Sequence, residues 1–404
     1  MWIEREISSD LHEIASSFPV VVMVGPRQVG KTSVLERCFP SHSYVSLDVA
    51  AHAEMAETRP DDFLRLHPPP LVLDEIQYAP AFFRQIKTFV DQHRPENGLF
   101  ILSGSQNFML MKNVADSLAG RAAVIPFSGL SGHEWQAAHP GADDALWREF
   151  LWRGGFPRLW DDPVRPVSRD RWYQGYIATY LERDVRNLLQ IGNLRDFERF
   201  LRACAARCAQ TLNMAEIGRD VGISATTARQ WISVLQASNQ IILLEPYYKS
   251  LGKRLAKSPK LYFTDTGLAS FLMGFQSPAS LWNSQSAGAL WENFVVSQWQ
   301  KWRDWRRPSA SLWYWRDQAG NEVDLLIEAD NLLTAIECKL AERPGGNDLR
   351  GLTRLEEFYG SQTIAHGFIA CTTKQPYDLT SKITARSGWT TWDLPSPHSS
   401  SPRA

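Results

Sequence analysis

The sequence predicts an α/β protein whose first part is a parallel sheet with helices on both faces. Short apolar runs, such as residues 20–24 and 71–73, alternate with segments of helical periodicity, and this alternation is typical of parallel strands joined by helices. A glycine-rich turn follows the first apolar run directly. Helical and then strand-like segments follow, so we expect a helical region in the middle of the chain and a second α/β unit behind it.

Length and composition limit the classes of protein that the chain can belong to. Its 404 residues suggest two or three domains, and the formal net charge of -1 does not indicate a globally basic nucleic-acid binder. The five cysteines form no C-x-x-C pair, so neither a disulfide framework nor a zinc site is predicted. The N-terminal segment carries acids, and no apolar run reaches the ~18 residues of a membrane span. We therefore expect a cytoplasmic protein without a membrane partner.

The first elements follow the α/β order. Residues 2–17 repeat apolar side chains at helical spacing, which predicts a lead-in helix before the first strand. Residues 44–47 are expected to form the second strand. Residues 50–66 have the composition of a helix, which the prolines at 68–70 then end.

The turn after the first strand has the pattern G-x-x-x-x-G-K-[ST] between a strand and a helix, which is the context of a phosphate-binding loop. Glycines let successive backbone N–H groups point into one concavity, and the helix N-terminus adds positive potential. Lys31 would reach the β- and γ-phosphates, and the Thr32 hydroxyl would bind Mg²⁺. The alternative is an ordinary turn that contains a lysine by chance. The predicted nucleotide-binding residues are Gly25, Pro26, Arg27, Gln28, Val29, Gly30, Lys31, Thr32 and Ser33.

Two acids end the next apolar strand, at residues 71–75. Asp74 would hold Mg²⁺, usually through water, because a hard cation prefers carboxylate oxygens. Glu75 is placed to polarise the water that attacks the γ-phosphate. The sequence therefore predicts a nucleotide-hydrolysing site that uses ATP and Mg²⁺.

Polar side chains follow the third strand, predicted at residues 99–102. Ser105 is the candidate that senses the γ-phosphate or positions the attacking water, Gln106 and Asn107 are further candidates, and plain turn chemistry is the alternative. Arg121 precedes the last strand, at 124–127. It could stabilise transition-state charge in its own subunit or in a neighbour's, and a solvated surface arginine is the alternative.

These motifs together resemble the AAA_14 group of AAA-type ATPases. The segments GPRQVGKT, SLD, LDEIQ, ILSGS and SLAGR occur in that order over roughly residues 16–135. The resemblance implies an AAA+ fold that binds and hydrolyses ATP. It assigns the family's site to Lys31, Thr32, Asp74, Glu75 and Arg121. A second sensor arginine in a helical lid is not apparent in the sequence, and the oligomeric state stays open.

The middle of the chain predicts a winged helix. Helices are expected at 195–210, 214–221 and 225–237, with a glycine turn before the third and a strand at 241–244. The third helix would present polar side chains to DNA, and the segment 249–260 has five basic residues and no acid. A protein–protein connector is the alternative. The predicted nucleic-acid contacts are Thr227, Arg229, Gln230, Lys253, Arg254 and Lys257.

The C-terminal strands predict a metal site. Asp324 lies on one strand, and Glu337 and Lys339 lie on one face of the next, because alternate residues of a strand share a face. This arrangement resembles the PD-(D/E)xK nucleases, which implies that Asp324 and Glu337 hold a divalent metal and that Lys339 orients the water. Glu292, on the preceding helix, matches the extra acid that many of them carry. Two half-buried strands with ion-paired edges are the alternative.

The GGFP turn at residues 154–157 and the YLERDV segment at 180–185 resemble DUF4143 proteins, in which that domain follows an AAA_14 domain. We expect an ATPase domain at 1–135, a helical and winged-helix domain at 136–260, a nuclease-like domain at 261–394 and a disordered tail at 395–404. Three functions follow as hypotheses. They are an ATP-driven machine acting on DNA, an ATP-dependent switch that binds a protein partner, and a metal-dependent nuclease regulated by ATP.

Overall fold

The computed structural model describes residues 2–104, 114, 116–161, 167–181, 194–248, 258–360, 363–392 and 394. Ser105 and the basic residues Lys253, Arg254 and Lys257 lie outside the described residues. The roles predicted for these four residues therefore stay predictions.

The described front part contains a parallel sheet of five strands in the order β2–β3–β4–β1–β5. All five residues of β1 are buried, because helices cover both faces of the sheet. The predicted fold class is confirmed. The strands are β1 (Val20–Val24), β2 (Ser43–Ser46), β3 (Leu71–Asp74), β4 (Phe100–Gly104) and β5 (Ala122–Pro126).

Two helices of this part differ from the sequence prediction. The lead-in helix begins only at Ser8, so residues 2–7 are not helical. The helix expected at 50–66 is broken at Arg59, which has non-helical dihedrals, and Pro60 begins a new helix because its fixed φ suits a first turn. The helices are α1 (Ser8–Ser17), α2 (Lys31–Cys38), α3 (Ala50–Thr58), α4 (Pro60–Leu66) and α5 (Phe82–Gln92).

The middle unit begins with a helix capped by Ser131. The Ser131 side chain accepts a hydrogen bond from the Glu134 amide, and the Glu134 carboxylate accepts one from the Ser131 amide. A short 3₁₀ turn at Pro157–Leu159 follows two helices, and a π-helical turn at Ile177–Leu181 extends the next. These helices are α6 (Gly132–Ala138), α7 (Asp144–Arg153) and α8 (Arg169–Tyr176).

A three-helix segment with a small antiparallel sheet completes the middle unit. Asn213 and Ser224 cap the second and third helices through their side chains, as predicted. The sheet has the order β6–β8–β7. The domain division expected after residue 260 falls inside β8, so this strand belongs to the middle sheet. The elements are α9 (Leu194–Ala205), β6 (Gln210–Thr211), α10 (Met214–Val221), α11 (Ala225–Ala237), β7 (Ile241–Leu244) and β8 (Lys260–Phe263).

The C-terminal unit is a mixed sheet in the order β13–β14–β12–β11–β10–β9, with a long helix before it and a shorter helix between β11 and β12. β9, β10 and β11 are antiparallel neighbours, and β11 pairs with β12 in parallel. The elements are α12 (Thr266–Leu272), α13 (Pro278–Trp282), α14 (Ala287–Arg306), β9 (Ser311–Arg316), β10 (Glu322–Ala329), β11 (Leu332–Cys338), α15 (Arg350–Tyr359), β12 (Ile364–Cys371), β13 (Tyr377–Asp378) and β14 (Ile383–Ser387).

Helix α14 docks against the segment 126–132 that follows the first sheet. Trp305 Nε1 donates to the Pro126 carbonyl at 2.9 Å, and Lys301 Nζ donates to the Leu130 carbonyl at 2.8 Å. Lys301 is fully buried, and this burial lowers its pKa to about 8. Helix α14 therefore ties the C-terminal unit to the front sheet. Among the described residues, no helix is long and apolar enough to cross a lipid bilayer.

Candidate functional site

The loop between β1 and α2 has a shape that only glycine permits at two positions. A Cβ at Gly25 would lie 1.8 Å from the Phe127 carbonyl oxygen, so no side chain fits there. Gly30 has φ +93°, in the left-handed region that glycine adopts without strain. Helix α2 begins at the next residue, Lys31. The loop therefore curls at the N-terminus of a helix, where an anion is stabilised.

Lys31 is buried inside this loop. Its Nζ donates to the Gly25 carbonyl at 3.0 Å and to the Pro26 carbonyl at 2.8 Å. Both acceptors are neutral dipoles. A phosphate oxygen carries full charge and forms stronger hydrogen bonds with an ammonium group than a carbonyl does. The residue is therefore placed to exchange loop carbonyls for phosphate.

The Asp74 carboxylate is surrounded by donors. Its Oδ2 accepts from Thr32 Oγ1 at 2.7 Å and from the Tyr44 hydroxyl at 2.8 Å. Its Oδ1 accepts from the Glu75 amide at 3.1 Å and from the Ser103 hydroxyl. The structure thus brings together Thr32 and Asp74, the two residues predicted to hold Mg²⁺. Their oxygen chemistry fits that ion, since Mg²⁺ is bound by carboxylates and hydroxyls.

Sequence reasoning missed two of these donors. Tyr44 lies on β2 and Ser103 on β4, the two strands that flank β3 in the sheet. Their contact with Asp74 depends on the order of the strands in the sheet, and the sequence alone does not reveal that order. Burial and the neighbouring Asp74 raise the pKa of Tyr44, so it stays a neutral hydrogen-bond donor.

Glu75 follows β3 in a strained backbone conformation, with φ 56° and ψ 46°. Such left-handed geometry is uncommon outside glycine and is concentrated at functional sites. The Gln77 amide donates to the Glu75 carboxylate. Glu75 lies directly after Asp74 and lines the cavity next to the loop. Its predicted role in polarising water stays a prediction.

Arg5 is a further site residue that sequence reasoning missed, because its segment was predicted to be helical. Its guanidinium forms a buried ion pair with Glu134 at 3.0 Å. It also donates to the Val29 carbonyl at 2.8 Å and to the Ser128 carbonyl at 2.7 Å. Arg5 therefore connects the phosphate loop with the start of the middle unit.

A cavity of about 770 Å³ opens beside the loop. Lys31, Thr32 and Glu75 line one side of it, and residues from the N-terminal segment and from the middle unit line the other. This volume is in the range of small-molecule and cofactor pockets. The lining from outside the loop includes Trp2, Ile3, Leu130, Pro157, Arg158 and Trp172.

Arg121 lies away from this cavity, so its predicted role in its own subunit is wrong. Its carbonyl accepts from the amide of Val20, the first residue of β1, whereas the loop follows the last. Five residues of strand span about 16 Å. The guanidinium binds Asp91 at 2.8 and 2.9 Å, which holds the pKa of Asp91 at about 2. A role in a neighbouring subunit stays a prediction.

The predicted C-terminal metal residues lie together on β10 and at the end of β11. Lys339 Nζ contacts Glu337 Oε1 at 2.8 Å, and Asp324 Oδ2 accepts from the Cys338 amide at 2.8 Å. Burial, and then the charge of Asp324, raises the pKa of Glu337 above its ordinary value. Glu292 lies nearby on α14, and burial likewise raises its pKa.

Lys260 occupies this acidic centre. Its Nζ lies 2.8 Å from Glu292 Oε1 and 3.5 Å from Asp324 Oδ1, and it also contacts Glu322 Oε1. The sequence placed Lys260 in an exposed basic segment, and this is wrong, because its side chain is only 3% exposed. Burial alone would lower the pKa of Lys260, but the charges of Glu292, Asp324 and Glu322 outweigh it and raise the pKa.

The predicted recognition helix is α11. Arg229 and Gln230 are exposed on it, as expected. Thr227 is half-buried, and its hydroxyl lies 2.8 Å from the Ser224 hydroxyl at the helix N-terminus. Thr227 therefore serves the cap, and Arg229 and Gln230 are the predicted contacts in the described part of the chain that are open to a partner.

The sheet order, the loop and the Thr32–Asp74 pair define the front part as an AAA-type nucleotide-binding module. Comparison with known families agrees with this class. Residues 17–136 match the AAA_14 family, described as an AAA domain. Residues 144–279 match DUF8612 and residues 287–390 match DUF4143, both described as domains of unknown function.

Two mycobacterial relatives identify the family of the whole chain. The chain is 31% identical over 355 residues to the uncharacterized protein Rv2008c of Mycobacterium tuberculosis, and the match covers 85% of this chain and 76% of the relative. The uncharacterized protein Mb2031c of Mycobacterium bovis matches to the same extent. The chain therefore belongs to the family of these proteins, which combines AAA_14 and DUF4143 domains here.

Two solved structures show a loose similarity to the chain. The Walker-type ATPase PABY2304 of Pyrococcus abyssi is 14% identical with a TM-score of 0.46, and the match covers 67% of this chain and 96% of that protein. AMPPCP-bound DnaA from Aquifex aeolicus is 14% identical with a TM-score of 0.29, over 58% of this chain and 89% of that protein. The assignment rests on the family match and on the geometry.

Proposed function

We propose that this protein binds ATP with Mg²⁺ and hydrolyses it at the loop between β1 and α2. The observation that carries this proposal is the 2.7 Å contact between Thr32 Oγ1 and Asp74 Oδ2 beside the buried Lys31 ammonium. Phosphate-binding loops place a lysine, a hydroxyl and a strand-end acid in this relation. The nucleotide-binding residues are those predicted from the sequence, Gly25 to Ser33.

Each residue has a defined task. Lys31 would leave the carbonyls of Gly25 and Pro26 and bind the β- and γ-phosphates. Thr32 and Asp74 would hold Mg²⁺, which neutralises charge on the phosphates. Glu75 would orient and polarise the attacking water, in a left-handed conformation that fixes its carboxylate at the cavity edge.

The test is ATP hydrolysis by the full chain and by Glu75→Gln. We expect hydrolysis to fall at least ~100-fold in the variant while ATP binding is kept, because the amide cannot accept the proton of the water. Glu96→Gln is the matched control, since Glu96 is an exposed acid of the same unit. Equal rates in Glu75→Gln and the natural protein would exclude Glu75 from the reaction. If the natural protein neither binds nor hydrolyses Mg-ATP, the proposed function fails.

We further propose that ATP acts on the middle unit. Pro157, Arg158 and Trp172 of this unit line the same cavity as Lys31. Arg5 connects the loop carbonyl of Val29 to Glu134. A nucleotide that fills the cavity would therefore contact both units and bias their arrangement.

DNA is the first candidate for what the middle unit binds. The order helix, strand, helix, helix, strand, strand from α9 to β8 supports a winged helix, and Arg229 and Gln230 are exposed on its third helix. DNA is expected to raise the ATPase rate. An unchanged rate together with no retention on DNA at low salt would reject DNA in favour of a switch that binds protein. In that case the Glu75→Gln variant should co-purify a protein and no nucleic acid.

A metal-dependent nuclease centre is a second candidate function of the C-terminal unit. One specific observation favours it, namely the contact between Lys339 and Glu337 on β11 next to Asp324 on β10. Divalent metal would be held by Asp324 and Glu337. Cleavage of DNA with Mg²⁺ or Mn²⁺ should be lost in Asp324→Asn and kept in Asp378→Asn, an exposed acid of the same unit. Equal products from both variants would reject the nuclease.

A further inference from the structure

The backbone of Lys260 is fixed, while its side chain reaches into another unit. Lys260 is paired with Leu244 of β7 on one side and with Thr211 of β6 on the other. The side chain passes from this middle sheet into the centre formed by Glu292, Glu322 and Asp324. Any release of the ammonium group must therefore be a rotation of the side chain, because both neighbouring strands hold the main chain.

The Lys260 ammonium lies among three carboxylates that could together hold a divalent ion. Glu292, Glu322 and Asp324 each offer one carboxylate oxygen, and these oxygens all lie within 4.8 Å of one another. A Mg²⁺ or Mn²⁺ ion binds oxygens at ~2.1 Å, so opposite ligands lie ~4.2 Å apart. A shift of a few tenths of an ångström would close the ligand set around a metal. The carboxylates of the same three residues now contact Nζ, at 2.8 Å for Glu292.

The short distances in this centre leave no room for both cations. Two lysines, Lys260 and Lys339, face four acids in the described part of this centre. A divalent ion brings twice the charge of an ammonium group to the same oxygens and would lie within ~3 Å of Nζ, where the two cations repel strongly. The four acids are Glu292, Glu322, Asp324 and Glu337.

A second observation is that one carboxylate oxygen of this acidic cluster has no hydrogen-bond partner within the described ranges. The Oε2 atom of Glu337 is buried and has no hydrogen-bond partner among the described residues. Glu337 as a whole is 8% exposed. A buried carboxylate oxygen without a partner is unfavourable, so the described acidic cluster around Asp324 contains an unsatisfied ligand atom.

We propose that Lys260 and a divalent cation compete for one position among Glu292, Glu322 and Asp324, and that Lys260 fills it in this chain. The middle unit thereby keeps the C-terminal centre free of metal until its side chain rotates out. Lys260 would thereby regulate the nuclease-like centre proposed above, and this regulatory role rests on that proposed function. Its chemistry is cation binding alone, so it can be tested without nucleic acid.

The experiment is a Mn²⁺ titration of the nucleotide-free full chain by calorimetry. We expect Lys260→Met to bind one additional Mn²⁺ ion. The affinity of the acidic centre for this ion should be at least ~10-fold higher than in the natural protein, since three acids lose the ammonium group that neutralises them. The additional site should disappear in Lys260→Met/Asp324→Asn. Lys382→Met, which removes a half-exposed lysine of the same unit, should behave as the natural protein. Equal binding by Lys260→Met and the natural protein would overturn the proposal.

A second measurement uses the natural protein and does not depend on the folding of a variant. Amine labelling with mass spectrometry should leave Lys260 unmodified, because the residue is only 3% exposed, and labelling should rise only as Mn²⁺ occupies the centre. Mn²⁺ bound at Asp324 with Lys260 still protected would contradict competition. Absence of nucleic-acid cleavage in Lys260→Met with Mn²⁺ bound would reject the nuclease but keep this proposal, so the two failures are distinguishable.

Discussion

The phosphate loop and the C-terminal acidic centre each contain a buried lysine, and the two lysines differ in what binds them. Lys31 donates to two backbone carbonyls beside an open cavity of about 770 Å³. Lys260 is surrounded by three carboxylates and is closed off from solvent. Carbonyls are neutral acceptors that a phosphate can replace, whereas carboxylates neutralise the ammonium group completely. The Lys31 ammonium group is therefore available to a phosphate, whereas the Lys260 ammonium group is already neutralised by carboxylates.

Lys301 refines this comparison. It resembles Lys31 in donating to a carbonyl, that of Leu130, but it lies on helix α14 and not in a loop. Its pKa is lowered to about 8 by burial, whereas carboxylates raise the pKa of Lys260 in spite of burial. The charge of the neighbouring acceptors, and not the depth of burial, decides the direction in which the pKa of a buried lysine moves.

The largest effect is expected at Gly25. In Gly25→Ala the Cβ would collide with the Phe127 carbonyl at 1.8 Å, so the loop must move and lose its phosphate-binding shape. We expect ATP affinity to fall ~1,000-fold or more, about 4 kcal/mol, in a fluorescent-nucleotide titration. The control is Gly288→Ala on α14, where nothing lies within 4 Å of the new Cβ. It should be neutral or raise stability by up to ~1 kcal/mol. Similar losses in both variants would break the comparison between the regions.

The next effect concerns the two lysines directly. Lys31→Ala should lower the ATP hydrolysis rate ~100-fold or more, because a charged donor to the phosphates is lost. It should change the unfolding midpoint less than Lys260→Met does, because the carbonyls of Gly25 and Pro26 are neutral acceptors. Lys260→Met should do the reverse. It should destabilise the chain in metal-free buffer, because three acids lose their cation, and leave ATP hydrolysis intact. Lys87→Ala, on an exposed face of α5, is the control. The comparison is wrong if the two variants show the same pattern.

A smaller effect is expected from pH. The pKa of Lys301 is about 8 in the folded chain and ~10.4 in an unfolded one. Between these values the unfolded chain binds more protons, so stability rises with pH. From pH 8 to 9.5 the free energy of unfolding should gain up to ~2 kcal/mol through this group. Urea unfolding of the natural protein and of Lys301→Met should differ in this slope. Parallel curves would show that burial does not perturb Lys301.

The smallest effect is expected at Tyr44. Tyr44→Phe removes one of the donors to Asp74 and should weaken the Mg²⁺ dependence of ATP hydrolysis ~5-fold, about 1 kcal/mol. Tyr377→Phe is the matched control in the other region, since the Tyr377 hydroxyl is buried with no hydrogen-bond partner in the described residues. Its removal should cost nothing. A Mg²⁺ titration that does not distinguish Tyr44→Phe from Tyr377→Phe would remove Tyr44 from the site.

The sequence was informative where function depends on residues close together in the chain. The loop from Gly25 to Thr32 is a local pattern, and its strand and helix are adjacent to it. Asp74 and Glu75 end a strand that has no polar residue before them. These residues could therefore be predicted from spacing and periodicity alone, together with the parallel sheet.

The rest depends on contacts between distant segments. Tyr44 and Ser103 meet Asp74 only because β2 and β4 flank β3. Arg5 lies in a segment that was predicted to be helical, whereas helix α1 begins only at Ser8. Lys260 follows a basic run, so its charge pattern suggested exposure, but acids that come 32 and 64 positions later enclose it, Glu292 and Asp324. A local pattern cannot report such partners.

The docking of helix α14 has a consequence for the order of synthesis. The carbonyls of Pro126 and Leu130 receive their donors from Trp305 and Lys301, which the ribosome adds long after the front sheet has emerged. A nascent chain that ends before α14 holds the first module with an uncovered flank next to Phe127, against which the phosphate loop is packed. Completion of the nucleotide pocket is thus coupled to translation of the last unit, so a truncated product is expected to lack a finished site.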